Sequence, residues 1–236
     1  MQQQLAIAEH YTRAKLNFTD PALQKVFDDS MDFSTVLNTE RIDPSQIMVD
    51  DKIRPRLRGT SWQEILISVL YRLLDAYPLD DESPLGVIDS AIHAGLICLM
   101  TTMMIRGSPL HHQYYKLLRR RMFNALAALG NADSELKFWL CFVGGASVFD
   151  TEADWKWLGT QITRLSSRLG LTTLKDARLV LMKFPWVRYF HDEASGSVFW
   201  NALGTWQRSS PELEKYIYWP NSLNKLKPYL AKDSPD

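Results

Sequence analysis

The sequence predicts an all-α chain built as an irregular multi-helix bundle of mostly antiparallel helices. Apolar residues recur at three- and four-residue steps through most of the chain, which is the period of a helix face. Helix-start and helix-stop residues bracket those stripes in turn. No long stretch alternates apolar and polar residues as a half-buried strand would.

The first strong stripe is Trp62, Ile65, Leu66, Val69, Leu70, Leu73, Leu74 and Tyr77. Ser61 with Glu64 forms a capping box at its start, and Pro78 follows its end. Ser83-Pro84 opens a second helix carrying Ile88, Ala91, Ile92, Gly95, Leu96, Leu99 and Met103, which stops near Arg106-Gly107. Gly95 lies in the stripe, where a missing side chain lets another helix approach. Ser108-Pro109 opens a third, with Tyr114, Leu117, Leu118, Met122, Leu126 and Leu129 before Gly130. Asp133 caps a fourth, with Leu136, Trp139, Leu140, Val143 and Ser147 on one side and Phe138 and Phe142 widening the face. Thr151 and Asp154 open a fifth, bearing Trp155, Leu158, Ile162, Leu165 and Leu169, with Gly170 as its stop. Thr173 and Asp176 open a short sixth through Met182, which Phe184-Pro185-Trp186 breaks. Asp192 or Ser195 caps a seventh, with Val198, Phe199, Ala202, Leu203 and Trp206 inward.

The first sixty residues are less regular. Their pattern allows short helices over 5–16 and 21–28. Asp32 to Gly59 is polar and broken at Pro44, Pro55 and Gly59, so it reads as a linker or wrapping loop. The organisation expected is an irregular segment over 1–59, a helical domain over 60–230 and a frayed tail over 231–236.

Hydrophobic residues make up 46% of the 236 positions and charged residues 23%, so the chain can bury a core and is not of disordered composition. Lys plus Arg equals Asp plus Glu, at 27 each. A balanced charge argues against direct nucleic-acid binding, which needs a basic excess to neutralise phosphates. Arg119-Arg120-Arg121 is the one dense basic run and reads as a solvated helix face. Cys98 and Cys141 lie in apolar runs and read as buried small hydrophobes in a reducing, intracellular compartment, nucleus or cytoplasm. The N-terminus lacks the pattern of a signal peptide. The most apolar stretch, 87–105, contains Asp89 and His93, which favours a core helix over a membrane span.

Chemistry-bearing motifs are absent. His10, His93, His111, His112 and His191 include no pair at the four-residue spacing of a helical zinc site. No Gly-x-Ser-x-Gly elbow or phosphate loop occurs. Gly144-Gly145 falls within a helical stripe and signals close packing or a kink. His191-Asp192-Glu193 offers a metal or acid/base reading, but the preferred one is structural, with Asp192 as a helix cap and Glu193 complementing the helix dipole. Met100, Met103 and Met104 read as adaptable core filling, or as the lining of an apolar pocket. No catalytic, cofactor-binding or metal-ligating residue is assigned.

Three segments in order carry a resemblance. They are Leu136-Lys137-Phe138-Trp139-Leu140-Cys141-Phe142-Val143-Gly144-Gly145, then Trp155 through Leu171 ending in Leu-Gly-Leu, then Leu179 to Trp186 with Phe-Pro-Trp, followed by His191-Asp192-Glu193 and Phe199-Trp200. The set resembles the fungal-specific transcription factor domain, most closely over 134–203 and more loosely back to about 60. The resemblance implies an all-helical regulatory region that restrains or relays activation, sometimes on binding a small molecule or a partner. It implies a packing role for Trp139, Gly144, Gly145, Phe184, Pro185, Trp186 and Trp200, and no catalytic residues. The six-cysteine zinc cluster that usually precedes this domain is absent, so the chain has no DNA-binding module of that kind. It reads as the regulatory part of a longer factor or as a stand-alone protein.

The expected function is therefore that of a ligand- or partner-sensing regulatory domain and not of an enzyme. An apolar small-molecule effector, a second copy or a partner transcription factor is the expected binder, with no membrane and no cofactor. The alternatives are an enzyme that shapes an apolar substrate in a helical cavity and a dimeric interaction scaffold.

Overall fold

A computed structural model describes residues 13–39, 59–79, 84–104, 115–131, 133–149, 151–188 and 190–192. Seven helices of eight residues or more stand among them: α1 (Pro21–Thr39), α2 (Gly59–Ala76), α3 (Val87–Met104), α4 (Lys116–Ala128), α5 (Ser134–Ser147), α6 (Glu152–Leu169) and α7 (Leu174–Leu181). The described residues contain no strand, and the fold is all-α.

Two helices form the centre. α3 packs against α1, α2, α4 and α5, and α5 packs against α3, α4, α6 and α7. Both are apolar around most of their circumference. Residues 91–100 of α3 are all buried, as are 138–144 of α5. A helix of that kind holds together only if neighbours cover it on every side.

The α3–α5 crossing depends on Gly95. A Cβ there would sit 2.4 Å from Trp139 Cζ3 and 2.7 Å from Leu140 Cδ2. Trp139 thus occupies the space that a side chain on α3 would take. Gly144 works likewise at the end of α5, where a Cβ would meet Phe149 Cε2 at 2.6 Å. Both glycines serve close packing.

The later helices begin and end where the sequence places them. Thr151 caps α6 and Thr173 caps α7, each in a capping box with an aspartate three residues on. Gly170 closes α6 in the left-handed region at φ 66°, with Leu171 N–H returning to Ser166 O at 2.8 Å. Asp133 precedes α5 as expected, but its side chain makes no cap bond. α4 ends at Leu129 in an extended conformation, so Gly130 is not a left-handed stop.

Several expectations are corrected. α1 runs to Thr39, where a linker beginning at Asp32 was expected. Leu23, Val26, Phe27, Met31, Phe33 and Leu37 join the same core as the helices after residue 59. Serines interrupt that stripe and disguise it. Ser30 Oγ donates to Val26 O at 2.7 Å, which lets a hydroxyl lie on the buried face. Residues 13–16 are not helical, and Ala14 N–H instead bonds Lys183 O at 3.0 Å. α3 begins at Val87 and not at Ser83-Pro84; Pro84 to Gly86 are non-helical. In α6, Trp155 is 39% exposed, and Trp157 is the ring that packs on Phe123 and Phe149.

α2 begins at Gly59, two residues before the expected start at Ser61. The expected start at Ser108-Pro109, the helix over 195–206 and the tail over 231–236 lie outside the described residues, as do the side chains of Trp62 and Met104. No described helix is long and apolar enough to cross a membrane.

Replacing Gly95 by Ala forces the new methyl into Trp139. The expected loss is about 1–3 kcal/mol of unfolding free energy, read from urea midpoints. Unchanged stability would contradict the close α3–α5 crossing.

Candidate functional site

Two polar clusters and one aromatic seam hold the groups with chemical potential. The first cluster lies where α1 and α3 begin and α2 ends. Asp20 caps α1, accepting from Ala22 N–H at 2.9 Å and Leu23 N–H at 3.3 Å. Pro21 follows at the first helical position, where no donor is needed. Tyr77 Oη–H donates to Asp20 Oδ2 at 2.5 Å. Asp89 is buried in the first turn of α3. Its Oδ2 accepts from Thr19 N–H and Asp20 N–H, each at 3.0 Å, and from the Thr19 hydroxyl. His93 stands one turn further along, its ring edge-on to Tyr77 with centroids 5.8 Å apart.

The electrostatics are those of a latch. Burial pushes the Asp20 carboxyl up, but hydrogen bonds from Tyr77 and the two backbone N–H groups outweigh it and hold it below the usual range. The same bond and burial push the Tyr77 phenol up to about 12. Burial lowers His93 below its ordinary value, and its Nε2–H donates to Leu73 O at 3.0 Å. The neutral imidazole therefore spends its proton on a backbone carbonyl. Neither carboxylate bonds the ring, so these contacts do not form an acid–base relay.

The second cluster lies at the other end of α3. His191 is buried, with Nε2 2.7 Å from Thr102 Oγ1. Thr102 Oγ1 also donates to Leu99 O at 2.6 Å. His191 Nδ1 lies 3.1 Å from Val187 N and 2.9 Å from Val187 O, so the ring is held to the Val187 backbone. Asp192 accepts from Trp186 Nε1 at 3.0 Å and pairs with Arg178 at 2.9 Å. Asn38, near the end of α1, donates to Trp186 O at 2.7 Å and accepts from Arg188 N–H at 2.9 Å. His191 and Asp192 thus fasten the chain after α7 to α3 and α7, and Asn38 fastens it to α1. Glu193 and the helix that Asp192 was expected to cap lie outside the described residues.

The seam joins α5 to the chain that follows α7. Trp139 stacks on Phe184 with centroids 5.3 Å apart and planes at 15°. Its Nε1 donates to Pro185 O at 3.1 Å. Phe142 meets Trp186 edge-on at 6.5 Å.

The remaining candidates are structural. Arg119 pairs with buried Asp154 through Nε at 3.1 Å and Nη2 at 2.5 Å, and lies over the Phe123 ring. Arg121 donates to Leu79 O at 3.0 Å. Two of the three arginines therefore bind other elements, against the expected solvated face; Arg120 is exposed. Cys98 and Cys141 are free and buried, and burial pushes each thiol up to about 12. Met100 and Met103 are core residues. His10, His111, His112 and Trp200 lie outside the described residues. Among the described residues no group of three metal-ligating side chains assembles.

No family model, no curated protein and no solved structure matches the chain.

The first cluster was not assigned from the sequence. Asp20-Pro21 was its visible signal, a cap followed by a proline. Asp89 and His93, four residues apart on an apolar helix, gave the other half, but nothing local links them to Thr19.

Two outcomes follow. Neutral His93 takes up a proton on unfolding, so its contribution is present above about pH 6.5 and is lost as pH falls below it. One unit below, that loss is at most about 1.4 kcal/mol. His93→Gln keeps a donor for Leu73 O and should flatten the urea-midpoint profile between pH 7.5 and 5.5. An equally steep profile in that variant sinks the assignment. Asp192→Ala frees Trp186 Nε1 and Arg178 together, and should lower stability by about 1 kcal/mol in thermal unfolding. No change would remove Asp192 as a fastener.

Proposed function

We propose that the chain is a regulatory domain of the kind found in fungal zinc-cluster transcription factors, sensing a partner or an apolar effector through its helix packing. The observation that carries the reading is the seam. The first and third segments of the resemblance are separated by a whole helix, yet Trp139 and Phe142 of the one meet Phe184, Pro185 and Trp186 of the other in one buried unit. The roles this requires of them are packing roles, as the resemblance implies.

The two polar clusters support the same reading. Their bonds join connecting segments to helix ends, and a ligand that favours one helix arrangement over another shifts the equilibrium by its difference in affinity. Packed cores have discrete alternatives and do not deform continuously, so such a shift can be switch-like.

The test is a tethering experiment. The full chain is fused to an unrelated DNA-binding module upstream of a reporter. Output several-fold above or below the module alone is the expected result. Output equal to the module alone, with the fused chain folded by circular dichroism, overturns the regulatory reading.

A further inference from the structure

α2 is apolar on two faces. Leu66, Val69 and Leu73 enter the core. Ile67, Tyr71 and Leu74 lie on the opposite side at 55%, 67% and 37% exposure. Their steps of four and three residues align them in one stripe about 10 Å long. A helix apolar on both sides is normally covered on both.

The edge of the stripe is acidic. Glu64 and Asp75 are exposed and fall roughly 60–80° round the helix from Ile67, both on the same side. They stand three turns apart, one near each end of the stripe. Neither carboxylate meets a cation among the described residues; Arg72, on the neighbouring turn, is paired with Asp29 of α1 at 2.8 Å.

We propose that the outer face of α2 docks an amphipathic helix of a partner protein, one with an apolar stripe and Lys or Arg along one edge. Ile67, Tyr71 and Leu74 would take the apolar knobs, and Glu64 and Asp75 the cations. Tyr71 suits the centre, since a tyrosine gives a large contact area at the cost of few rotamers. A second copy fits less well. Antiparallel two-fold pairing of this face with itself sets the carboxylates of both copies along one edge, where like charges repel. Parallel pairing leaves both acidic edges unmatched. This inference rests on the regulatory reading and names its partner class.

Cys98 and Cys141, the only cysteines, are buried. Ile67→Cys therefore introduces the one reactive thiol on the full chain. The probes are a maleimide dye and two synthetic peptides of about 18 residues. Both peptides carry leucine at helical spacing, one with a lysine edge and one with a glutamate edge. The thiol should label at the rate of a free cysteine, and the lysine peptide should protect it. The lysine peptide should bind the wild-type chain roughly tenfold or more tightly than the glutamate peptide, and Glu64→Lys with Asp75→Lys should reverse that order. Tyr71→Ser should weaken both without changing the circular dichroism spectrum.

Three results overturn the proposal. A thiol protected in a peptide-free monomer means that the chain covers its own face. Protection that grows with protein concentration assigns the face to a second copy. Equal binding of the two peptides removes the acidic edge as a recognition element. The reporter fusion reads the regulatory function separately. A chain that binds the lysine peptide but leaves the reporter unchanged keeps the docking face and loses the regulatory role.

Discussion

The structure depends on one close crossing, that of α3 and α5 at Gly95. Trp139 lies where a side chain on α3 would otherwise project, and the same ring stacks on Phe184 and hydrogen-bonds Pro185 O. One indole therefore joins three elements. It fills the gap between the two central helices and fixes the path of the chain after α7. The bond from Nε1 satisfies the one polar atom that its burial would leave costly. The ring packing of Phe142 on Trp186, and the Asn38 contact to Trp186 O, depend on that path. α1 is thereby coupled to a tryptophan 148 residues away.

Given that crossing, the polar groups of the interior take a common form. Asp20, Asp89, His93, Thr102, His191 and Asp192 are placed at the ends of helices or beside the turns that join them. Each bonds a backbone donor, a backbone carbonyl or a neighbouring side chain. Such groups contribute little net stability while paired and cost more when a partner is lost. They specify which ends meet. Asp20 and Tyr77 set the start of α1 beside the end of α2, and Thr19 sets it beside the start of α3. α2 therefore runs antiparallel to both. An arrangement defined by a few end-to-end bonds around an apolar centre can be biased by a binder that favours one set of ends.

Local chemistry made part of this legible in the sequence. Capping boxes and a left-handed glycine act within four or five residues, so α6 and α7 could be placed from Thr151, Asp154, Gly170, Thr173 and Asp176 alone. Gly95 and Gly144 were legible for a different reason, since a glycine in an apolar stripe has few other uses. The misses involve long-range partners. Serines on the buried face of α1 made its second half look polar, because a bond such as that of Ser30 to the Val26 carbonyl one turn back is invisible in composition. Trp155 and Trp157 are both aromatic at the start of α6, and only the positions of Phe123 and Phe149 decide which faces inward. Arg119 looked solvated until Asp154, from a helix two elements later, supplied its partner.

The same reasoning separates the inside of the molecule from its recognition surface. Trp139, Phe142, Phe184 and Trp186 are buried and hold one another, so they set a scaffold and leave the choice of partner to other positions. Partner choice has to come from exposed groups whose arrangement the scaffold fixes. α2 is suited to that task because its inner face is anchored by Leu66, Val69 and Leu73, and its far end by Tyr77 on Asp20. A side chain on its outer face is then held in register by contacts it does not itself make. Binding on that face would act on the end of α2 that meets α1 and α3, where the latch of Asp20, Tyr77 and Asp89 is located. A route from surface to core thus runs through one helix and needs no residue of the aromatic seam to move first.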